Sequence, residues 1–211
     1  MPRRDGEPVG TVAPWLPPGS GPILGVAGAW LLGALLIGAS GRLATLRPPR
    51  PQLVLAGLTL ALLAACRLWP PLRRFAAAVD LRALVLCHLT RFVGFYFLAL
   101  HTRGELPRAF AAPAGWGDNA TAAGALLLVL LVPPDGPGGR LLYLAWNAFG
   151  LLDILGVVLT AARLAIADPG SMRALLQLPL SLLLTFVVPI IIATHVVMLM
   201  RLARSSPARR A

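Results

Sequence analysis

The sequence predicts an all-α membrane protein, a polytopic bundle of six membrane-spanning helices. Three observations carry that prediction. Of 211 residues, 57% are hydrophobic and only 13% are charged, and the mean hydropathy is +0.77. A soluble domain holds about 45 to 50% apolar and about 25% charged residues, so a soluble globular enzyme is excluded. Apolar runs of roughly 20 residues, the length of helix that crosses a bilayer core of about 30 Å, recur along the chain. All nineteen basic residues are Arg, set against eight acidic residues for a net charge of +11. They fall between the apolar runs or at their ends and are not interleaved with exposed aromatics, which marks membrane orientation and not nucleic-acid binding.

The elements follow in order. Residues 1–22 form a flexible Pro/Gly-rich tail, residues 23–200 the transmembrane domain, and residues 201–211 a basic tail. The spans are expected at Ile23 to Ser40, Gln52 to Trp69, Ala83 to His101, Asn119 to Val132, Leu141 to Leu164 and Ala174 to Met200. The first is too long, and too far behind prolines, for a cleaved signal. Gly25, Gly28, Gly33 and Gly38 line it with small residues that admit close helix contact. The fourth is the shortest, and the last two are long enough to tilt. Pro179 and Pro189 each remove a backbone donor and should bend the sixth span. Cys66 and Cys87, both near cytoplasmic helix ends, are expected as buried free thiols.

With the N-terminus inside, eleven arginines fall on inner segments and seven on outer ones. The positive-inside rule then places both termini in the cytoplasm. The segment at 102–118 is too apolar for a plain loop and is broken by Pro107, Pro113, Gly115 and Gly117, so it reads as an interfacial or re-entrant cap. It gathers His101, Arg103, Glu105, Arg108, Trp116 and Asp118 at the outer interface. As a pocket, Glu105 or Asp118 would serve as acid or base and the arginines would recognise an anionic head group. Without that role, Asp118 would cap the fourth helix, Glu105 would pair with Arg108, and Trp116 and His101 would be interfacial anchors.

Ionisable groups inside a span are costly and face the bundle interior. His88, Arg91, Asp153 and His195 are such groups. Counting about 1.5 Å per residue from the flanking arginines puts both imidazoles and Asn147 at one level, with Arg91 and Asp153 deeper. An ion pair between Arg91 and Asp153 is expected, because either charge alone in hydrocarbon would be stranded. Helical phase aligns His88 with Arg91, Trp146 with Asp153, and Gln177 with Ser181 and His195. Three polar stripes, on the third, fifth and sixth spans, should therefore meet in one buried core.

Such a core admits several readings. It could bind a proton or a small polar solute, or handle a lipid, as in a proton-linked or small-solute/lipid-handling transporter. It could hold a single haem b between His88 and His195; two haems would need more histidines than the three present. It could fix helix register in a structural or assembly subunit without a ligand. No Gly-rich phosphate loop, paired-histidine metalloprotease helix or nucleophile elbow is present to suggest an enzyme, and no metal site is expected. The run Arg91 to Leu98, with Gly104 to Phe110, Pro113 to Asp118, Trp146 to Asp153 and Pro189 to His195, resembles a group of small bacterial integral membrane proteins without an established activity. The likeness runs from about residue 85 to 202 and implies a bacterial inner-membrane setting and no particular reaction. His88 and His101 fall outside the shared pattern, which favours Arg91, Asn147, Asp153 and His195 as the functional set.

Overall fold

A computed structural model describes residues 15–204. Residues 1–14 and 205–211, which carry Arg3, Arg4, Arg209 and Arg210 of the expected tails, lie outside the described residues. Six helices are long and apolar enough to cross a membrane: span 1 at Gly21–Ala39, span 2 at Arg50–Leu68, span 3 at Leu81–Thr102, span 4 at Arg108–Leu131, span 5 at Gly139–Ala167 and span 6 at Leu183–Arg204. No strand occurs among the described residues. A short helix, Pro70–Ala78, joins spans 2 and 3.

Span 6 stands at the centre, touching spans 1, 2, 3 and 5, while spans 3, 4 and 5 pack side by side around it. Lipid is as apolar as the helix surfaces, so close packing and polar contacts must hold such helices together. Small residues provide the closeness. A side chain at Gly115 would meet Leu98 Cγ at 2.7 Å and the Gly94 carbonyl at 2.9 Å, and one at Gly124 would meet the Trp146 ring at 2.9 Å. Apolar clusters close both ends of the bundle. Val85, Leu128, Tyr143, Met198 and neighbours fill one end, and Phe97, Leu100, Phe110, Met172 and neighbours fill the other.

Span 4 corrects the expected cap. It begins at Arg108 and runs unbroken through Pro113, Gly115 and Gly117. Pro113 forgoes one bond to the carbonyl four residues back, early in the helix. The two glycines are not breaks but the places where spans 3 and 5 press closest. The 102–118 segment is thus a five-residue turn, 103–107, leading into a spanning helix.

Span 6 is corrected as well. It starts after Pro179, so only Pro189 lies inside it. A π-helical turn at Leu183–Val187 precedes Pro189. Pro189 has no N–H to offer the Thr185 carbonyl, and the Trp30 indole of span 1 donates to that oxygen at 2.9 Å. Gly25, Gly28 and Gly33 meet nothing within 4 Å, and of the expected glycine stripe only Gly38 packs closely, on Ser181 and Leu178. Both cysteines are free, but neither is buried: Cys66 is half-covered and Cys87 is exposed on the lipid side of span 3.

Candidate functional site

Span 3 does not stay α-helical. Its middle, Cys87–Val93, is a 3-10 segment, in which three residues make one turn and side chains three apart eclipse. His88, Arg91 and Gly94 therefore lie on a single line, and all three are buried. That line faces spans 4, 5 and 6.

Arg91 is the hub. Its Nε donates to Asp118 Oδ1 of span 4 at 2.6 Å, its Nη1 donates to the Gly150 carbonyl of span 5 at 2.8 Å, and its Nη2 donates to Asp153 Oδ2. Arg91 is 2% exposed, and the side chains of Asp118 and Asp153 are 4% and 16% exposed. At about 1.5 Å per residue, Asp118 lies about 15 Å from the start of span 4 and Asp153 about 21 Å from either end of span 5. The triad thus occupies the middle of the membrane. Its two ion pairs are the ones found among the described residues.

The pairing of Arg91 with Asp153 is the one that sequence reasoning anticipates. Asp118 corrects it, because this residue belongs to the buried core and neither caps a helix nor sits at the outer interface. Gly117 permits the approach: a side chain there would overlap the Asp153 carboxylate.

A second layer is built from histidines. The His88 and His195 rings are in contact, with centroids 4.1 Å apart, and both residues are fully buried. Asn147 fixes His195 from two sides, through its Oδ1 on Nδ1 at 2.9 Å and its Nδ2 donating to the His195 carbonyl at 3.1 Å. Thr194 Oγ1 lies 3.2 Å from His88 Nε2. Trp146 stands edge-on to His88 and donates to the Thr121 carbonyl at 3.0 Å. His88 Nδ1, His195 Nε2 and both amide atoms of Asn119 are buried without a hydrogen-bond partner.

Gly150 links the layers. Its carbonyl binds Arg91, and a side chain on it would strike His195 Cε1 at 2.7 Å.

Other expected members lie elsewhere. Gln177 is exposed beside a 3-10 turn that precedes span 6, so it is not on the His195 line. The outer cluster does not assemble. Arg103, Glu105 and Arg108 are exposed, Trp116 points outward at 65% exposure, and His101 Nδ1 lies 3.1 Å from the Leu106 carbonyl. The expected pair of Glu105 with Arg108 does not form among the described residues. Asn119, Thr121, Thr194 and the Gly150 carbonyl join the core without having been anticipated.

The arrangement described does not fit a haem between His88 and His195. Two imidazoles in ring contact leave no thickness for a macrocycle, and neither cavity described below is lined by either histidine.

Two cavities meet the triad. One of about 540 Å³ lies among spans 2, 3, 5 and 6 and reaches Arg91 and Asp118. The other, about 180 Å³, lies between spans 4 and 5 and is lined by Asp153, Pro113 and Thr160. Each carboxylate therefore faces its own cavity, with the guanidinium between them.

Residues 48–203 match the family described as a domain of unknown function (DUF8737). The chain belongs to that family. The matched region takes in spans 2 to 6 and every residue of the triad and the histidine layer, whereas span 1 precedes it. Comparison with curated proteins and with solved structures returned no match.

Proposed function

We propose that this integral membrane protein handles protons at the Arg91, Asp118 and Asp153 triad. One observation carries the reading: a single guanidinium is clamped between two carboxylates at mid-membrane. With both carboxylates ionised the group carries one negative charge too many, and an uncompensated charge there is expensive. A proton supplies the missing positive charge without any rearrangement of heavy atoms. Either carboxylate can hold it, and each faces a different cavity. The half-buried Asp153 exchanges with its small cavity, and Asp118 is the inner holder. The adjoining histidine layer, with two ring nitrogens unfilled, extends the chain of proton-accepting groups.

The test is proton flux into proteoliposomes loaded with a pH dye, driven by an imposed membrane potential. The native protein is expected to exceed protein-free vesicles, Asp153→Asn to fall to their level, and His195→Ala to lower the rate. Native flux equal to that of empty vesicles, or an unaffected Asp153→Asn, overturns the reading.

Orientation belongs to the same proposal. The arginine distribution supports cytoplasmic termini and the family resemblance supports a bacterial inner membrane; reporter fusions at each loop check the orientation. A second reading, an assembly subunit, is favoured by span 1, which buries only Ala34 and Gly38. It predicts a partner that co-purifies in fixed proportion and normal function after core substitutions.

A further inference from the structure

The larger cavity is an apolar chamber within the bundle. It is walled by membrane-spanning helices, and its volume of about 540 Å³ lies within the range of about 300 to 1,000 Å³ typical of ligand sites. Its walls run into the lipid-facing surface: Leu60 of span 2 and Leu159 of span 5 line it and are 65% and 60% exposed. Spans 2 and 5 are thus the jambs of a sideways opening. One end lies at the start of span 2, the other at Ile191, Arg91 and Asp118 in mid-membrane.

The polar groups sit where a head group would. Gln52, the third residue of span 2, lines the chamber with its Oε1 buried and without a donor. Arg47 and Arg50 are exposed and alternate with the lining residues Leu46, Pro48 and Pro51. Cations at the rim complement a phosphate, an acceptor beside them, two residues on from Arg50, complements a donor on a head group lying along the rim, and an apolar shaft complements a hydrocarbon tail.

We propose that this chamber binds one membrane phospholipid whose head group bears a hydrogen-bond donor. Its acyl chain reaches the triad and keeps water away from Asp118. The phosphate lies on Arg47 and Arg50, and the donor, an ammonium or hydroxyl hydrogen, bonds to Gln52 Oε1. The proposal does not rest on proton handling, because lipid binding is read without a gradient.

The experiment is native mass spectrometry of the full chain released from nanodiscs, in parallel arms of phosphatidylethanolamine and phosphatidylcholine of the same acyl composition. Phosphatidylcholine keeps the phosphate but has no donor hydrogen. One retained phosphatidylethanolamine is expected, with phosphatidylcholine retained about fivefold less, the worth of one hydrogen bond. Gln52→Leu should erase that preference while leaving binding. Ala56→Trp and Ala162→Trp, which fill the shaft from opposite walls, should each lose the lipid peak while eluting as monodisperse protein. Equal retention of the two lipids by the native chain overturns the assignment, as does retention by both tryptophan variants. Should one tryptophan variant fail to fold, the other and Gln52→Leu still decide.

Discussion

At the residue scale, the protein turns on what a buried charge requires. Arg91 has two carboxylates and a carbonyl as partners, and removing it leaves both carboxylates without a cation. Arg91→Leu is expected to cost about 3 to 5 kcal/mol of stability, the usual penalty for breaking a buried pair. Adding Asp118→Asn and Asp153→Asn to it should restore much of that loss. Reversible unfolding in mixed micelles measures both. Gly150 offers a second check: Gly150→Ala forces a methyl group against His195 and Thr121 and should cost about 1 to 3 kcal/mol by overpacking. Gly156→Ala, six residues along the same helix, meets open space and should be neutral or slightly stabilising by helix propensity.

The same scale shows what could be read from the chain alone. The Arg91 and Asp153 contact was legible because depth counting from flanking arginines places both near the membrane centre, where neither can stay single. Asp118 is expected at the outer interface and not in the core because Pro113, Gly115 and Gly117 read as breaks in a re-entrant segment. In a bilayer they are packing residues. The signal was there: Ala111, Gly115, Asp118, Ala122 and Ala125, spaced four, three, four and three, put small or polar residues on one helix face straight through the supposed loop. Gln177 was misplaced by starting the sixth span before Pro179, where the residue ahead of a proline disfavours helix.

At the element scale, span 6 is held by an exchange between helices. Pro189 leaves the Thr185 carbonyl without its usual donor, and Trp30 supplies one from span 1. Trp30→Phe keeps the ring against Phe186, whose centroid is 5.0 Å away, but loses the N–H, and it should cost about 1 kcal/mol. In a Pro189→Ala background, where the backbone provides its own donor, the same substitution should cost less. A double-mutant cycle on unfolding midpoints separates the two terms. The π-helical turn at Leu183–Val187 had no sequence signature beyond the proline, since its register depends on this contact with another helix.

For the whole molecule, the family boundary and the packing agree. Span 1 lies before the matched region and buries two residues, while spans 2 to 6 enclose the triad. A chain beginning at residue 48 is therefore expected to insert and remain monodisperse, with a lowered but still cooperative unfolding transition. Aggregation or loss of cooperativity would make span 1 part of the core.

The 3-10 segment of span 3 has a mechanical consequence. A 3-10 helix advances about 2.0 Å and 120° per residue, against about 1.5 Å and 100° in an α-helix. Over Cys87–Val93, relaxing to α would shorten the rod by about 3.5 Å and unscrew it by about 140°. The imidazole and guanidinium would then leave their shared meridian, so that this one stretch of backbone works as a threaded coupling between the two polar layers.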